Sequence, residues 1–248
     1  MPSPQKILVV TGGGRGIGAA TALLAAQRGY AVCVNYLRNG EAAEKLARHI
    51  GETAIAVQAD VASEADVVRL FKTVDDKLGR VSALVNNAGI VDLRSRVENM
   101  SAERIQRMLA VNVTGSFLCA REAIKRMSTR NGGKGGAIVN VSSVAARLGG
   151  PGDYVDYAAS KGAIDTFTVG LAKEVGPEGI RVNAVRPGVI RTEIHATSGD
   201  PGRVDRIAAS TPLARAGEAE EIARSIVWLL SDEASYITGA LLDIAGGR

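Results

Sequence analysis

The chain has 248 residues, of which 46% are hydrophobic and 23% charged, a composition typical of a globular protein with a substantial core. Its net charge is +4, yet the 30 basic residues are interspersed with 26 acidic ones, and the densest basic stretch, residues 121–134, has no aromatic side chains to stack on bases. The sequence therefore argues against a nucleic-acid partner and favours a solvated helix end followed by a loop at 121–134.

Short apolar runs alternate with longer amphipathic stretches along the chain. The first run ends at Thr11, too short for a signal peptide or a membrane span, so a soluble, cytoplasmic protein without a membrane partner is expected. The predicted strands are KILVVT, YAVCVNY, TAIAVQ, SALVNN, GAIVNVSS, IRVNAVRP and ALLDIAG. The predicted helices are GIGAATALLAAQRG, EAAEKLARHI, SEADVVRLFKTVDDKLG, SAERIQRMLAVNVTGSFLCAREAIKRM, YAASKGAIDTFTVGLAKEVG and EAEEIARSIVWLLSD.

This alternation predicts the fold class. Strands and helices that follow one another without a break indicate parallel strands with right-handed crossovers, and runs that are apolar on both faces indicate helices on both sides of the sheet. No Pro-rich or Ser-rich linker divides the chain, so residues 1–248 are predicted to form a single doubly wound α/β domain of the Rossmann type. Ligands of such sheets bind beyond the carboxyl ends of the strands, where functional residues are therefore expected.

A glycine-rich turn, TGGGRGIG, follows the first predicted strand. Gly12, Gly16 and Gly18 precede a helix that is expected to begin near Ile17. Glycines there let the backbone approach a pyrophosphate, which the free N–H groups and the dipole of a helix N-terminus stabilise. Because Ala19 rather than Lys follows the last glycine, the usual P-loop is excluded and a dinucleotide site is predicted.

Tyr157 and Lys161 are four positions apart in YAASK. In a helix they lie one above the other on one face, with only small residues between them. A phenol and an ammonium would then share one site, where the ammonium favours the phenolate. A solvated helix face is the alternative interpretation of this pentapeptide, and the other motifs decide between the two.

Four further motifs lie at strand ends or in the following helices: NNAG at 86–89, VNVTG at 111–115, VNVSS at 139–143 and RPGVIRT at 186–192. With TGGGRGIG and YAASK, their order and spacing resemble the short-chain dehydrogenase/reductase family in its compact single-domain form, over essentially the whole chain. The resemblance implies a seven-stranded parallel sheet of order 3-2-1-4-5-6-7 and a nicotinamide cofactor. It also implies an oxidoreductase that interconverts a carbonyl and a secondary alcohol.

The resemblance assigns catalytic roles to Asn112, Ser143, Tyr157 and Lys161. Tyr157 matches the acid or base, and Lys161 matches the residue that holds the nicotinamide ribose and lowers the phenol pKa. Ser143 matches the serine that hydrogen-bonds the substrate oxygen, although the interval from Ser143 to Tyr157 is one residue longer than the commonest family spacing; Ser142 is expected to point away and to be structural. Asn112 matches the asparagine that interrupts the helix after strand four and passes protons from the lysine to solvent through water.

The cofactor site implied by the resemblance draws on the ends of several strands. Asp60 matches the contact with the adenine edge, the NNAG residues match the adenine ribose side, and Ile190 and Thr192 match the contacts with the carboxamide. The expected cofactor-binding residues are Gly12, Arg15, Gly16, Ile17, Gly18, Asn35, Tyr36, Arg38, Asp60, Val61, Asn87, Ala88, Gly89, Tyr157, Lys161, Pro187, Gly188, Ile190 and Thr192.

The end of the second strand predicts which dinucleotide is preferred. NAD sites of this type carry an acidic residue there, which accepts the ribose 2′-hydroxyl and repels a 2′-phosphate. Here the segment reads VCVNYLRNG, with Asn35 and Tyr36 in that place and no acid before Glu41. Arg15 and Arg38 are candidates to bind the phosphate, so NADP(H) is predicted over NAD(H), with two solvent-facing arginines as the alternative.

Several other residues allow more than one interpretation. His195, in the segment that forms a mobile lid in the family together with Arg191 and Arg203, is expected to be an ordinary loop residue rather than a substrate contact. Tyr154 either lines the pocket or is an exposed loop aromatic. Arg94 and Arg96 hint at an anionic substrate, although loop arginines are commonly exposed. The cysteines, Cys33 and Cys119, lack the spacing of metal ligands, so no metal site is expected.

Two alternative functions stay open. One is a 3-oxoacyl-thioester reductase whose basic stretch at 121–134 docks an acidic acyl carrier protein. The other is a dinucleotide-sensing binding protein without turnover, against which the intact catalytic set argues, while the absence of G-x-S-x-G argues against a hydrolase. The resemblance also implies a homotetramer, with helices at 101–127 and 157–175 pairing across one two-fold axis and YITGALLDIAGG across another.

Overall fold

The computed structural model describes residues 6–193 and 202–248, with the side chain of Arg203 left out. These residues contain one seven-stranded sheet whose order is β3-β2-β1-β4-β5-β6-β7, with every neighbouring pair parallel. The strands are β1 Ile7–Val10, β2 Ala31–Tyr36, β3 Ala54–Gln58, β4 Ala83–Asn86, β5 Gly136–Val141, β6 Ile180–Pro187 and β7 Leu241–Ile244. The predicted fold class and strand order are confirmed.

Helices cover both faces of this sheet. They are α1 Gly16–Gln27, α2 Gly40–Ile50, α3 Glu64–Lys77, α4 Ala102–Leu109, α5 Gly115–Met127, α6 Ala145–Leu148, α7 Val155–Val175, α8 Arg203–Ala208 and α9 Ala219–Leu230. Helices α3, α5 and α7 pack on one face, and α1, α2 and α9 pack on the other. Successive residues of β1 point into the two cores in turn, as strand geometry requires. None of the described helices is long and apolar enough to cross a membrane.

The helical stretch predicted at 101–127 is divided in the structure. A π-helical turn, Ala110–Thr114, joins α4 to α5 and contains Asn112. Insertions of this kind are frequent at functional sites because the widened turn redirects a side chain. The helix is therefore interrupted at the turn that contains Asn112, where the resemblance places the break.

A chain of buried polar side chains crosses the sheet below the candidate site. Asn86 of β4 donates to the side-chain oxygen of Asn140 on β5 at 3.0 Å, and Asn140 donates to the hydroxyl of Thr168 on α7 at 2.9 Å. Thr168 in turn donates to the carbonyl of Ile164 at 2.8 Å. Buried polar groups are costly unless they are paired, so these bonds favour one alignment of β4, β5 and α7.

Candidate active site

The glycine-rich turn between β1 and α1 is tightly packed. Gly12 and Gly16 have φ angles of +59° and +52°, a left-handed conformation that favours glycine. A Cβ atom on Gly18 would lie 2.6 Å from both the Asn87 Nδ2 atom and the Gly12 carbonyl oxygen, so a larger residue does not fit there. The first-turn N–H groups of α1 have no partner inside the helix and are directed at the space above the turn. The turn therefore fits a pyrophosphate.

Thr11 joins this turn to the NNAG segment that follows β4. Its hydroxyl oxygen accepts hydrogen bonds from the backbone N–H groups of Asn87 and Ala88, each at 3.0 Å, and donates to the Val85 carbonyl at 3.2 Å. The Asn87 side chain donates back to the carbonyl oxygens of Thr11 and Gly12 at 2.8 and 3.0 Å. The two turns therefore form one rigid unit, in which the Asn87 amide nitrogen has a structural partner.

Asn35 lies beneath the same turn and is only 2% exposed. Its side-chain oxygen accepts from the Gly12 N–H at 3.2 Å, and its side-chain nitrogen donates to the carbonyls of Ala59 and Val57 at 3.0 and 3.3 Å. The neighbouring Tyr36 ring packs against Gly40 at the start of α2, where a Cβ would lie 3.2 Å from the ring. An uncharged amide therefore stands at the end of β2, and it holds the glycine turn rather than facing solvent.

Arg15 and Arg38 are both exposed at the outer edge of the turn. Within residues 6–193 and 202–248, neither guanidinium has a hydrogen bond or an ion pair. Asp60, after β3, accepts the N–H of Ala62 at 2.9 Å, and Val61 is buried against Gly115. This edge of the site therefore offers two available cations and one carboxylate that caps its own turn.

The segment after β6 reaches back to the glycine turn. A Cβ on Gly16 would lie 3.2 Å from the Thr192 Cγ2 atom, so Thr192 covers the start of α1. Ile190 pairs with Gly217 in a short bridge and is buried. Gly188 follows Pro187 and leaves no room for a side chain, because a Cβ there would lie 2.8 Å from the Ala245 Cα. Of these residues, Thr192 contacts the glycine turn, whereas Ile190 and Gly188 pack against later parts of the chain.

Tyr157 and Lys161 occupy one face of α7, as the spacing predicts. The Lys161 ammonium lies 5.6 Å from the centre of the Tyr157 ring and donates to the Val141 carbonyl at the end of β5 at 2.7 Å. A Cβ on Gly89 would lie 3.6 Å from the Lys161 Nζ atom, so the NNAG backbone passes close to the ammonium. Phenol, ammonium and two strand ends therefore meet in one place.

Burial lowers the pKa of Lys161 from its ordinary value of 10.5 to about 8, because the charged form loses its hydration. Asp165, one turn later on α7, opposes this shift by favouring the charged form. The Asp165 carboxylate is itself paired with Arg186 near the end of β6, at 2.9 Å. Neither Asp165 nor Arg186 was identified from the sequence, since the partner of each is distant along the chain.

The two serines at the end of β5 point in different directions. The Ser142 hydroxyl is buried and donates to the Lys161 carbonyl at 3.2 Å, which fixes α7 against the strand. The Ser143 oxygen accepts the N–H of Ala145 at 3.1 Å, and the residue is partly exposed. Because that oxygen accepts a bond, the hydroxyl hydrogen of Ser143 is available to another acceptor.

The Asn112 side chain is buried and occupied by neighbouring groups. Its oxygen accepts the Ile90 N–H at 2.8 Å, and its nitrogen donates to the Ile90 carbonyl at 3.0 Å and to the Ser160 hydroxyl at 3.0 Å. Asn112 thus connects the π-helical turn to the segment after NNAG and to α7.

Burial and ion pairs decide between the alternative interpretations of Tyr154, Arg94 and Arg96. Tyr154 is 3% exposed, so its interpretation as an exposed loop aromatic is wrong. Arg94 pairs with Asp153 at 2.7 Å, and Arg96 pairs with Glu98 at 2.7 Å, so neither guanidinium is an unpaired site for an anionic substrate. His195 lies outside the described residues.

The basic stretch at 121–134 is largely neutralised by ion pairs. Arg121 pairs with Glu64 at 2.8 Å, and Lys125 pairs with Glu122 at 2.7 Å. The remaining pairs are Arg126 with Asp75 and Arg130 with Glu178. The stretch is a helix end followed by a loop, as expected. Most of its basic side chains form ion pairs with carboxylates of the same chain.

Comparisons with known proteins agree with this geometry. The family model described as enoyl-(acyl carrier protein) reductase matches residues 12–248. The uncharacterized oxidoreductase YgfF of Escherichia coli (strain K12) is 60% identical over 247 residues, which cover 98% of this chain and 100% of that protein. A 3-oxoacyl-[acyl-carrier-protein] reductase of Synechocystis is 41% identical over 98% of this chain and 96% of that protein.

A solved structure has the same architecture. The crystal structure of 3-ketoacyl-(acyl-carrier-protein) reductase from Brucella melitensis complexed with NADH superposes with a TM-score of 0.91, at 35% identity and with 98% of each chain covered. The similarity therefore extends over nearly the whole length of both chains.

The buried ammonium of Lys161 predicts a pH-dependent cost in stability. A fall in pKa from 10.5 to about 8 means that the buried charge destabilises the folded state by about 3 kcal/mol. Replacement of the lysine removes this cost, but it also removes the hydrogen bond to Val141, which contributes about 1 kcal/mol. Below pH 8 the cost is fully present; between pH 8 and 10.5 the unfolded chain holds the proton that the folded chain has released, so stability rises with pH. Lys161→Met is therefore expected to be more stable than the parent by about 2 kcal/mol at pH 7.

Urea unfolding without cofactor at pH 7 and pH 10 measures this difference, which should shrink at the higher pH. Lys173→Met, at an exposed position of the same helix, is the matched control and should match the parent at both pH values. A Lys161→Met variant that is less stable than the parent at pH 7 would contradict the prediction.

Proposed function

Because the chain belongs to the short-chain dehydrogenase/reductase family, we propose that it is an NADP(H)-dependent oxidoreductase that interconverts a carbonyl and a secondary alcohol, acting as a single Rossmann-fold domain. The observation that carries this proposal is the buried Lys161 ammonium, 5.6 Å from the centre of the Tyr157 ring and bonded to the end of β5. This is the edge of the sheet where a doubly wound fold binds its ligand.

The residues of the candidate site fit a nicotinamide dinucleotide. The glycine turn and the α1 N-terminus would hold the pyrophosphate, Asn87, Ala88 and Gly89 would lie beside the adenine ribose, and Ile190 and Thr192 would hold the carboxamide. Gly89 passes close enough to Lys161 for the ammonium to reach a ribose hydroxyl in the same space. When bound, the nicotinamide supplies or accepts the hydride.

In this proposal, side chains of the protein donate the proton to the substrate and replace it afterwards. In the reductive direction Tyr157 donates its phenol proton to the substrate oxygen, while Ser143, whose hydroxyl hydrogen is free, donates a hydrogen bond to the same oxygen. Lys161 holds the positive charge that lowers the phenol pKa. Asn112 is assigned to the return of the proton from Lys161 through water.

The preference for NADP(H) rests on charge at the end of β2. Asn35 is buried and uncharged there, so no carboxylate repels a 2′-phosphate. Arg15 and Arg38 are exposed beside the turn and have no partner among the described residues, which leaves both guanidinium groups free to bind a phosphate. The structure of the Brucella relative contains NADH, so that relative gives no support for a preference for NADP(H). The proposed preference of the present chain rests on Asn35, Arg15 and Arg38 alone.

A second candidate function is the reduction of 3-oxoacyl thioesters. It is favoured by the names of the Synechocystis and Brucella relatives, which are 41% and 35% identical to this chain. The proposed docking of an acyl carrier protein on residues 121–134 has less support, since Arg121, Lys125, Arg126 and Arg130 are paired with carboxylates of the same chain. A free thioester is therefore the better first substrate to test.

We also propose a homotetramer. Phe117 of α5 is 48% exposed and stacks on Phe167 of α7 with ring centres 3.8 Å apart. Ile105 and Leu109 of α4 add exposed apolar surface beside them, and Leu242 is exposed on the edge strand β7. Burial of both surfaces between copies of the chain, each about a two-fold axis, would produce four subunits.

Tyr157→Phe removes the proton donor and leaves most of the binding surface. Turnover is expected to fall by at least about a thousandfold, within the range of general acid–base catalysis combined with loss of the bond to the developing alkoxide. The affinity for NADPH, measured by its fluorescence, should stay within about threefold. Tyr236→Phe, at a fully exposed tyrosine, is the matched control and should keep parental activity. Substantial residual kcat in Tyr157→Phe would overturn the catalytic assignment.

Removal of either arginine should weaken the use of NADPH alone. Arg15→Ala and Arg38→Ala are each expected to raise the KM for NADPH about tenfold or more, because a hydrogen bond to a charged group contributes ~1.5–3 kcal/mol. Steady-state kinetics with NADPH and NADH separate this effect from general damage, since KM for NADH should barely change. Arg28→Ala, at an exposed arginine beyond α1, should alter neither. Equal or better use of NADH by the parent enzyme would refute the preference.

The tetramer predicts a mass in solution. Light scattering at micromolar concentration should give about four chain masses for the parent, and Phe117→Asp should lower that mass, because it places a charge in the shared apolar surface. Val68→Asp, on the equally exposed surface of α3, should leave the assembly unchanged. A parental mass of one chain would exclude the tetramer.

A further inference from the structure

A buried ion pair lies directly before the catalytic tyrosine. Arg104 of α4 donates to both carboxylate oxygens of Asp156 on α7, from Nε at 2.8 Å and from Nη2 at 3.3 Å. The side chains are only 13% and 3% exposed. Such a pair differs from the exposed ion pairs elsewhere on the chain, since both of its members have lost most of their hydration.

The Arg104 guanidinium also holds the segment that follows NNAG. Its Nη1 atom donates to the Leu93 carbonyl at 2.7 Å. Here the substrate loop means residues 90–96, which leave the end of β4 and pass beside the start of α7. One planar cation thus contacts this loop on one side and α7 on the other, a geometry that the fork of donors on arginine allows and a lysine ammonium does not.

Asp156 connects the Arg104 guanidinium to the backbone of Tyr157. It is the second residue of α7, and its Oδ1 atom accepts the backbone N–H of Tyr157 at 2.9 Å. First-turn N–H groups of a helix need such acceptors. The same carboxylate therefore fixes both the guanidinium and the backbone of Tyr157.

Other contacts also hold the substrate loop, among them the ion pair of Arg94 with Asp153, just before α7. Ile90 is bound by the Asn112 side chain, and the Ser95 N–H donates to the Asp153 carbonyl at 3.0 Å. Arg107 pairs with Asp92 at the surface. Arg104 differs from these contacts because its guanidinium joins the Leu93 carbonyl, in the middle of the loop, to a buried carboxylate in the first turn of α7.

We infer that Arg104 is a positioning residue that locks the substrate loop to the first turn of α7, so that Tyr157 and the loop form one wall of the substrate pocket at a fixed separation. The inference rests on the proposed function in that Tyr157 is the acid or base. A buried ion pair that only stabilised the fold can be replaced by apolar side chains without loss, whereas a lock cannot. This difference makes the role testable.

Two variants separate positioning from folding. Arg104→Lys keeps the charge and loses the fork, and the double change Arg104→Met with Asp156→Leu replaces the pair by apolar side chains of similar size. Hydrogen exchange of the apo protein should show at least about tenfold faster exchange in residues 90–96 for both variants. Their midpoints of thermal unfolding should stay within a few degrees of the parent.

Turnover should fall in the same variants in which the substrate loop exchanges faster. With acetoacetyl-CoA and with 2,3-butanedione as probes, kcat is expected to fall about tenfold or more in both variants, because a small misplacement of the acid is costly. The dissociation constant of NADPH, measured by fluorescence, should change by less than about threefold. Arg48→Lys, in an exposed ion pair of α2, is the control for the chemical change and should match the parent in every measurement.

Asp156→Asn gives an intermediate case. The amide oxygen still accepts the Tyr157 N–H, but the charge that orients Arg104 is lost, so exchange in the loop should rise while kcat falls less than in Arg104→Lys. Parental exchange in residues 90–96 together with parental kcat in Arg104→Lys would overturn the inference. If the parent reduces neither probe, the proposed function loses support, and the exchange measurement alone decides whether Arg104 locks the loop.

Discussion

The parallel pairing of β1 with β4 is the constraint on which the candidate site depends. The strand order runs outward through β2 and β3 on one side of this pair and through β5, β6 and β7 on the other. The connections that leave β1 and β4 therefore diverge, and a crevice opens between them at the carboxyl edge. Thr11 and Asn87 close the floor of that crevice with hydrogen bonds, so the positions of the glycine turn and of Gly89 follow from a single pairing of strands.

Neutral amides build much of the polar framework around this crevice. Asn35 holds the glycine turn, Asn112 holds Ile90, and Asn86 with Asn140 links β4 to β5. An amide supplies a donor and an acceptor at once and carries no charge that must be desolvated, so it can be buried beside backbone groups at low cost. The Lys161 ammonium loses its hydration in this framework, and this loss outweighs the opposing effect of the Asp165 carboxylate and lowers its pKa to about 8.

Most charged side chains near the site form ion pairs with each other. Arg94 binds Asp153 just before α7, and Arg104 and Arg186 bind Asp156 and Asp165 within that helix. The net charge of +4 consequently does not create a broad basic surface around the pocket. Arg15 and Arg38 differ because they are exposed beside the glycine turn without a described partner, and the proposed preference for NADP(H) rests on this difference.

The sequence by itself determined the alternation of strands and helices, the position of the glycine turn and the shared face of Tyr157 and Lys161, because each depends on local periodicity or on spacing within one element. The strand order and the break in the helix at Asn112 were expected from the resemblance to the family, and the structure has both. Only the tertiary structure decided that Tyr154 is buried, that Asn35 faces inward and that Arg104 meets Asp156, which is 52 positions away along the chain. Local propensity specifies helices and strands, whereas the partner of a polar side chain is chosen by how those elements pack, and a single sequence does not encode that choice in any short pattern.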